Sequence, residues 1–131
     1  MLQNLQCADC SKKGGDPVAL TAEEIQAYME QICPSWIDSK DAISRSFVAK
    51  DFKCAMDFIN KVAEVAESQG HHPDIRIFGY RNVEIKISTF SLKTLSKNDF
   101  ILAAKLDHLP IEYSPKFLKE HPDIRAGRIL N

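Results

Sequence analysis

The spacing of apolar residues predicts three helices, and the first of them begins after Thr21. Thr21 and Glu24 form a capping box, in which the two side chains accept hydrogen bonds from free backbone N–H groups at the helix start. Apolar residues then recur on one helical face from Ile25 to Ile32. We expect Pro34 to end this helix, because a proline disfavours the helical conformation in the residue before it.

The second helix has the clearest pattern in the chain. Asp51 is a good N-cap residue, and Gly70 supplies a C-terminal stop. Between them the apolar residues follow the three- and four-residue spacing of a buried stripe: Phe52, Ala55, Met56, Ile59, Val62, Ala63 and Ala66. A third helix is predicted to begin after a second capping box, formed by Ser96 and Asp99, and to end before Pro110.

Four strands are predicted, in two hairpins. The first hairpin comprises Trp36-Ile37 and residues 42–49, and the second comprises residues 74–79 and 82–89. In the last strand Val83, Ile85 and Ile87 point to one face, while the polar residues between them point to the other.

The element order is therefore α-β-β-α-β-β-α, which predicts an α+β fold: a four-stranded antiparallel sheet with helices packed on one face. Short hairpins argue against a doubly wound parallel sheet. We expect an irregular N-terminal arm at residues 1–19, one domain at 20–110, and a C-terminal tail at 111–131. The tail is polar from Glu112 and is expected to pack outside the core.

Composition and charge exclude two classes of protein. The chain has 131 residues, with 17 Lys and Arg against 18 Asp and Glu, so its formal net charge is -1. Direct nucleic-acid binding calls for a basic excess on one face, which this balance argues against. No apolar stretch approaches the roughly 18 residues of a membrane span. The first residues lack a secretory pattern, so we expect a cytoplasmic protein with reduced thiols.

The cysteines allow more than one interpretation. Cys7 and Cys10 form a C-x-x-C motif in a polar lead-in, while Cys33 and Cys54 are expected inside helices. A zinc ribbon would need a second pair at ligand spacing, and a thioredoxin-type centre would follow a strand. Reduced thiols without chemistry are the first expectation, and metal or redox roles for Cys7 and Cys10 stay open.

Two adjacent histidines are the candidate chemical centre. His71 and His72 lie in a helix-to-strand turn between Gly70 and Pro73, and Glu67 precedes His71 by one helical turn. Imidazole exchanges protons near neutral pH, and a nearby carboxylate can orient it. The alternative is a solvated loop that happens to contain two histidines. A metal site is not expected, because further ligands at suitable spacing are missing.

At these positions the chain resembles the pterin-4a-carbinolamine dehydratases. The resemblance lies in Glu67, His71-His72-Pro73, Tyr80 and Asp99. The segments 70–74 and 98–105, together with the early C-x-x-C motif, are similar to the plant and bacterial branch of that family. The resemblance extends over about residues 7 to 108, in the element order derived above, and has no counterpart for the tail.

The resemblance implies an activity and a set of site residues. The reaction is the dehydration of 4a-hydroxytetrahydrobiopterin to quinonoid dihydropterin in tetrahydrobiopterin recycling, by general acid–base catalysis without a metal or redox cofactor. The resemblance assigns proton transfer and pterin contact to His71 and His72. It assigns the support of this pair to Glu67, and it places Pro73 in the wall of the site that the two histidines form. The opposite wall would be formed by Thr89, Phe90, Ser91 and Leu92. Asp99 is already explained by a structural role, as the N3 residue of its capping box.

The chain departs from the family pattern at Phe90, where the family usually has a third histidine and occasionally a tryptophan. Phenylalanine can stack on a pterin ring but cannot transfer a proton. Phe90 could form a pocket wall, which the resemblance favours, or belong to a small satellite core under the tail. We expect a retained but slower dehydratase.

The alternative function is that of a catalytically weak or inactive protein that assists dimerisation or assembly of another protein. Members of this fold include a dimerisation cofactor of a homeodomain transcription factor and an assembly factor for a plant carboxylase. The resemblance also implies a homodimer or homotetramer, with a possible protein partner such as a hydroxylase or a transcription or assembly factor.

Overall fold

The computed structural model describes residues 2–5, 7 and 18–122, and it confirms the predicted α+β fold. The helices are α1 (Ala22–Met29), α2 (Phe52–Gln69), α3 (Lys97–Leu106) and α4 (Pro115–Glu120). The strands are β1 (Ile37–Asp38), β2 (Ile43–Val48), β3 (Asp74–Phe78) and β4 (Asn82–Ile87). The observed order is the predicted one with α4 and a short 3-10 turn, Leu2–Asn4, added. In this described part of the chain, no helix is long and apolar enough to cross a membrane.

The sheet is antiparallel throughout, with strand order β1-β2-β4-β3. One face forms the core: every second residue of β2 and β4 is buried there, including Ile43, Ile85 and Ile87. Asp74 at the start of β3 pairs with Lys86 near the end of β4. The residues that precede β3 and those that follow β4 therefore meet at the same end of the sheet.

The caps predicted for α2 are present, but its buried stripe differs from the predicted one. The Asp51 side chain accepts a hydrogen bond from the Cys54 N–H, and Gly70 ends the helix with φ of 63°. Phe52 is 52% exposed, whereas Phe58, which the predicted stripe omitted, is 1% exposed. The core lies against the face that carries Phe58 and Val62, and burial of each such side chain contributes about 1.5–3 kcal/mol.

Helix α1 ends at Met29, which is earlier than the prediction that it runs to Pro34. The expectation that Cys33 lies in a helix is therefore wrong. Its backbone N–H donates to the Asp107 carboxylate at 2.8 Å, and Trp36 Nε1 donates to the same carboxylate at 2.8 Å. In a helix, the Cys33 N–H would donate to the carbonyl four residues earlier. Because it donates to Asp107 instead, this contact stabilises the non-helical backbone at Cys33.

A buried ionic network joins this segment to the sheet. Arg45 on β2 lies 3.4 Å from Asp107, and its other terminal nitrogen donates to the Tyr113 hydroxyl. Burial raises the pKa of Asp107, against the hydrogen bonds from Cys33 and Trp36, and burial also raises the pKa of Tyr113. An ion pair this deeply buried costs stability when one partner is removed, because the other charge is left without compensation.

The expectation that the tail packs outside the core is wrong for its first part. Ser114 caps α4, Pro115 occupies its first turn, and Phe117 is only 7% exposed in the main core cluster. The Tyr113 ring meets Phe47 edge-on at 5.5 Å. The remaining residues of the predicted tail, from 123 onward, lie outside the described residues.

Candidate active site

The histidine pair lies in the turn that connects α2 to β3, and the local backbone explains its position. Gly70 adopts a left-handed conformation, which glycine tolerates without a Cβ penalty. The Gly70 N–H bonds to the Glu67 carbonyl at 3.3 Å, and the His71 N–H bonds to the Ala66 carbonyl at 3.2 Å. These bonds close the last turn of α2 and turn the chain so that the two histidines follow it directly.

His71 is buried and held by a residue from another helix. Its Nε2 lies 2.6 Å from Oδ1 of Asp99, although 28 residues separate the two in sequence. The His71 side chain is 10% exposed and that of Asp99 is 0% exposed. This contact therefore fixes the end of α2 against the start of α3.

Asp99 combines the predicted capping role with this second one. Its Oδ2 accepts hydrogen bonds from the Ser96 N–H and from Thr89 Oγ1, both at 2.8 Å, while its Oδ1 faces His71. Thr89 Oγ1 also lies 2.6 Å from Ser96 Oγ. A hydroxyl has one proton, so Thr89 donates to Asp99 and receives the proton of Ser96. The carboxylate is thus an acceptor for three donors.

This arrangement determines the tautomer of a neutral His71. A carboxylate can only accept, so the proton of the imidazole lies on Nε2 and the lone pair lies on Nδ1. Within the described ranges His71 Nδ1 has no hydrogen-bond partner, so its lone pair is available as a proton acceptor.

His72 has the opposite surroundings. Its Nε2 lies 2.5 Å from Oε2 of Glu67, and the side chains are 60% and 76% exposed. The exposed carboxylate of Glu67 contacts this imidazole at Nε2 and leaves its Nδ1 for other contacts. The two adjacent histidines therefore have one carboxylate each: a buried one for His71 and an exposed one for His72.

The predicted opposite wall is a loop rather than the end of a strand. Strand β4 ends at Ile87, and a bridge between Thr89 and Thr94 closes the loop that follows. Thr89 is buried, and its hydroxyl bond to Asp99 links this loop to the histidine pair. Phe90 is 88% exposed, so it does not belong to a satellite core.

The other predicted residues are distributed around this centre. Ser91 is exposed, Leu92 and Pro73 are half-buried, and Pro73 directly follows His72. Tyr80 lies in the hairpin turn beyond β3, at the opposite end of that strand from the histidines. It is 60% exposed and is not brought to the histidine pair within one chain.

The thiol motif is only partly described. Cys7 is half-buried, whereas Cys10 lies outside the described residues. Among residues 2–5, 7 and 18–122, no three histidine, cysteine or acidic side chains are grouped so that they could hold a metal ion.

Comparison with known proteins identifies the family. The profile of the family described as Pterin 4 alpha carbinolamine dehydratase matches residues 18–109, which include the whole site just described. The chain belongs to this family. Among the pterin carbinolamine dehydratases, a mitochondrial one from Arabidopsis thaliana is 37% identical over 115 residues, which are 85% of this chain and 60% of the plant protein.

Bacterial relatives match over nearly their whole length. A Methylococcus capsulatus protein, provisionally named as a pterin-4-alpha-carbinolamine dehydratase, is 44% identical over 111 residues, covering 82% of this chain and 91% of that protein. A solved Brucella melitensis structure, described as a transcriptional coactivator/pterin dehydratase, has a TM-score of 0.62 and 31% identity. It covers 68% of this chain and 95% of that one. The pterin dehydratase fold is thus shared along most of the described chain.

Proposed function

We propose that this chain dehydrates 4a-hydroxytetrahydrobiopterin, the pterin-4a-carbinolamine, to quinonoid dihydropterin in tetrahydrobiopterin recycling. The hydroxyl group leaves carbon 4a with the bonding electrons and takes up a proton, so it departs as water. The adjacent ring nitrogen loses a proton, and its electrons form the new double bond to carbon 4a. The reaction needs one proton donor and one proton acceptor, held on the same substrate.

The observation that carries this proposal is the pair of adjacent imidazoles with different carboxylate partners. His71, with its proton directed to Asp99, presents the lone pair of Nδ1 and acts as the base toward the ring nitrogen. His72 is exposed beside Glu67 and supplies the proton to the departing hydroxyl. Glu67 orients His72, and a proton can return from solvent because both side chains are accessible.

The substrate-binding assignments come from the family resemblance, and the geometry of the site is compatible with them. Pro73 directly follows the pair and would shape the wall behind it, while the loop of Thr89, Phe90, Ser91 and Leu92 would form the other wall. Thr89 ties that loop to Asp99 through its hydroxyl. A largely exposed aromatic side chain such as Phe90 can stack on a planar heterocycle.

Phe90 also sets an expectation for the rate. It occupies the position where the family usually has a histidine, and a hydrocarbon ring cannot transfer a proton. One positioned acid–base group typically contributes about 10²–10⁴-fold to a rate. We therefore infer a dehydratase that is slower than relatives with a histidine at this position.

The test is the rate of dehydration of freshly generated 4a-hydroxytetrahydrobiopterin, measured against buffer alone. We expect the wild-type chain to accelerate the reaction, His72→Ala to lose about 10²–10⁴-fold, and Phe90→His to gain activity. His108→Ala is the matched control, because His108 is an exposed histidine beyond the end of α3. Equal rates for wild type and His72→Ala would contradict the proposed mechanism.

A second candidate function has specific support. The substituted position at Phe90 and the coactivator description of the Brucella melitensis relative are compatible with a weak or inactive dehydratase that assists assembly of another protein. In that case wild type would not accelerate dehydration, and capture of the partner would be the same in His72→Ala. A gain of dehydration in Phe90→His alone would indicate an intact scaffold disabled at one residue.

We also propose a homodimer or homotetramer. Strand β3 is an edge strand, and its side chains Ile75 and Phe78 are 37% and 46% exposed. Such an edge carries unpaired backbone groups that a second copy can pair with. Sedimentation of wild type and Ile77→Pro, which removes a backbone donor from this strand, measures this directly. An oligomer that persists in the variant would place the interface elsewhere.

A further inference from the structure

The described N-terminal residues, 2–5 and 7, contact both ends of α3. Leu2–Asn4 form a short 3-10 turn that packs against α3, and Leu2 is 4% exposed. Lys105, in the last turn of α3, donates from Nζ to the Gln3 carbonyl at 2.8 Å. Cys7 lies at the other end of the same helix, against its first turn.

Cys7 contacts two helix ends at once. Its backbone N–H donates to Oε1 of Gln69, the last residue of α2, at 2.9 Å. Its Sγ donates to the carbonyl of Asn98, in the first turn of α3, at 3.5 Å. Cys7 therefore bridges the C-terminus of α2 and the N-terminus of α3.

The two bridged residues directly flank the chemical groups of the site. Gln69 precedes His71 by two positions, and Asn98 immediately precedes Asp99. The 2.6 Å contact between His71 and Asp99 crosses the same gap between α2 and α3. Anything that separates these helix ends lengthens that contact.

We infer that Gln69 is a positioning residue, whose hydrogen bond to the Cys7 backbone holds His71 against Asp99. The end of a helix is prone to fraying, and Gly70, which follows Gln69, adds backbone freedom at this place. The Gln69 side chain acts from outside the site: among the described residues its Nε2 donates to Ser68 Oγ, and neither imidazole is one of its hydrogen-bond partners. The consequence for rate rests on the proposed function, whereas the consequence for the His71–Asp99 contact does not.

The experiment compares full-length wild type with Gln69→Ala, Gln69→Glu and Gln31→Ala. Alanine removes the acceptor of the Cys7 N–H while keeping helix propensity, so the fold is retained. Glutamate keeps an acceptor oxygen at the same distance from the backbone. Gln31→Ala is the matched control, because Gln31 is an exposed glutamine whose amide bonds only to the Ala27 carbonyl among the described residues. The readout is exchange with water of the His71 Nε2 proton, measured by ¹H–¹⁵N NMR, alongside the dehydration rate.

We expect the His71 proton to exchange about 3- to 10-fold faster in Gln69→Ala, the factor that corresponds to one net hydrogen bond. Gln69→Glu should restore the wild-type exchange rate, and Gln31→Ala should match wild type. Unchanged exchange in Gln69→Ala, or equal acceleration in Gln31→Ala, would overturn the inference. The expected exchange pattern in a chain without dehydratase activity would refute the proposed function and leave the role of Gln69 intact.

Discussion

Replacing Asp99 by asparagine keeps the shape of the site but changes which atoms can donate hydrogen bonds. The carboxylate accepts from His71 Nε2 at 2.6 Å, and from Thr89 Oγ1 and the Ser96 N–H at 2.8 Å. An asparagine has one acceptor oxygen and one NH₂ group. If the oxygen serves Thr89 and Ser96, the NH₂ group faces His71 Nε2, where two donors would meet. We expect His71 to carry its proton on Nδ1 in Asp99→Asn.

The contacts of Asp99 set the size of two effects. Hydrogen bonds to charged groups contribute about 1.5–3 kcal/mol and neutral ones about 0.5–1.5 kcal/mol, so three bonds weaken by about 1 kcal/mol each. Relief of a fully buried charge offsets part of this loss. We expect Asp99→Asn to lower the free energy of unfolding by about 1–3 kcal/mol. Because Nδ1 can no longer accept a proton, the dehydration rate should fall by about 10²–10⁴-fold.

Three measurements separate these effects: long-range ¹H–¹⁵N NMR for the tautomer of His71, urea unfolding for stability, and the dehydration rate. Asp57→Asn is the control, because Asp57 lies on the exposed side of α2 and pairs only with Lys53 in the described part of the chain. A His71 that keeps its proton on Nε2 in Asp99→Asn would refute this hydrogen-bond assignment. A lower dehydration rate would not by itself support the assignment, because a distorted fold would also slow the reaction.

Three further predictions concern stability and are checked by urea unfolding. Burial raises the pKa of Tyr113 above 10.0, so the folded chain keeps a proton that the unfolded chain loses. Stability should therefore decrease as the pH rises above 10.0, and Tyr113→Phe should flatten this decrease. Parallel stability curves for the two proteins would contradict this prediction. Gly70→Ala should cost about 1 kcal/mol from its left-handed φ alone, since nothing lies within 4 Å of an added Cβ, and Gly70→Asn should cost less. Phe117→Ala should cost about 3 kcal/mol, and a cost near zero would place α4 outside the folding unit.

Much of the fold could be predicted because its signals are local. The capping box of Thr21 and Glu24, the N-cap Asp51 and the left-handed Gly70 all lie where the sequence pattern places them. Helix α4 was missed although it has a local signal, a serine N-cap followed by proline in the first turn. The early end of α1 has no such signal, because it depends on Asp107, which is 74 residues away from Cys33.

The candidate site also has a part that could be predicted from the sequence and a part that could not. The histidine pair and Glu67 are close in sequence, so their proximity could be predicted from one helical turn and one glycine. The contact of His71 with Asp99 could not be predicted. The capping box already accounts for Asp99, and it does not indicate that the second carboxylate oxygen of Asp99 faces another helix. The assignment of site roles stays a prediction, which the variants above test.

Because Trp36 donates to Asp107, intrinsic fluorescence reports on the contact between the end of α3 and the segment before β1. The chain contains a single tryptophan, so every photon of indole emission originates from this place. Trp36 is 3% exposed, and its Nε1 donates to the Asp107 carboxylate at the end of α3. Emission should therefore follow the docking of α3 onto the segment before β1. A red shift that precedes the loss of helical circular dichroism would mean that this contact breaks before the helices unfold.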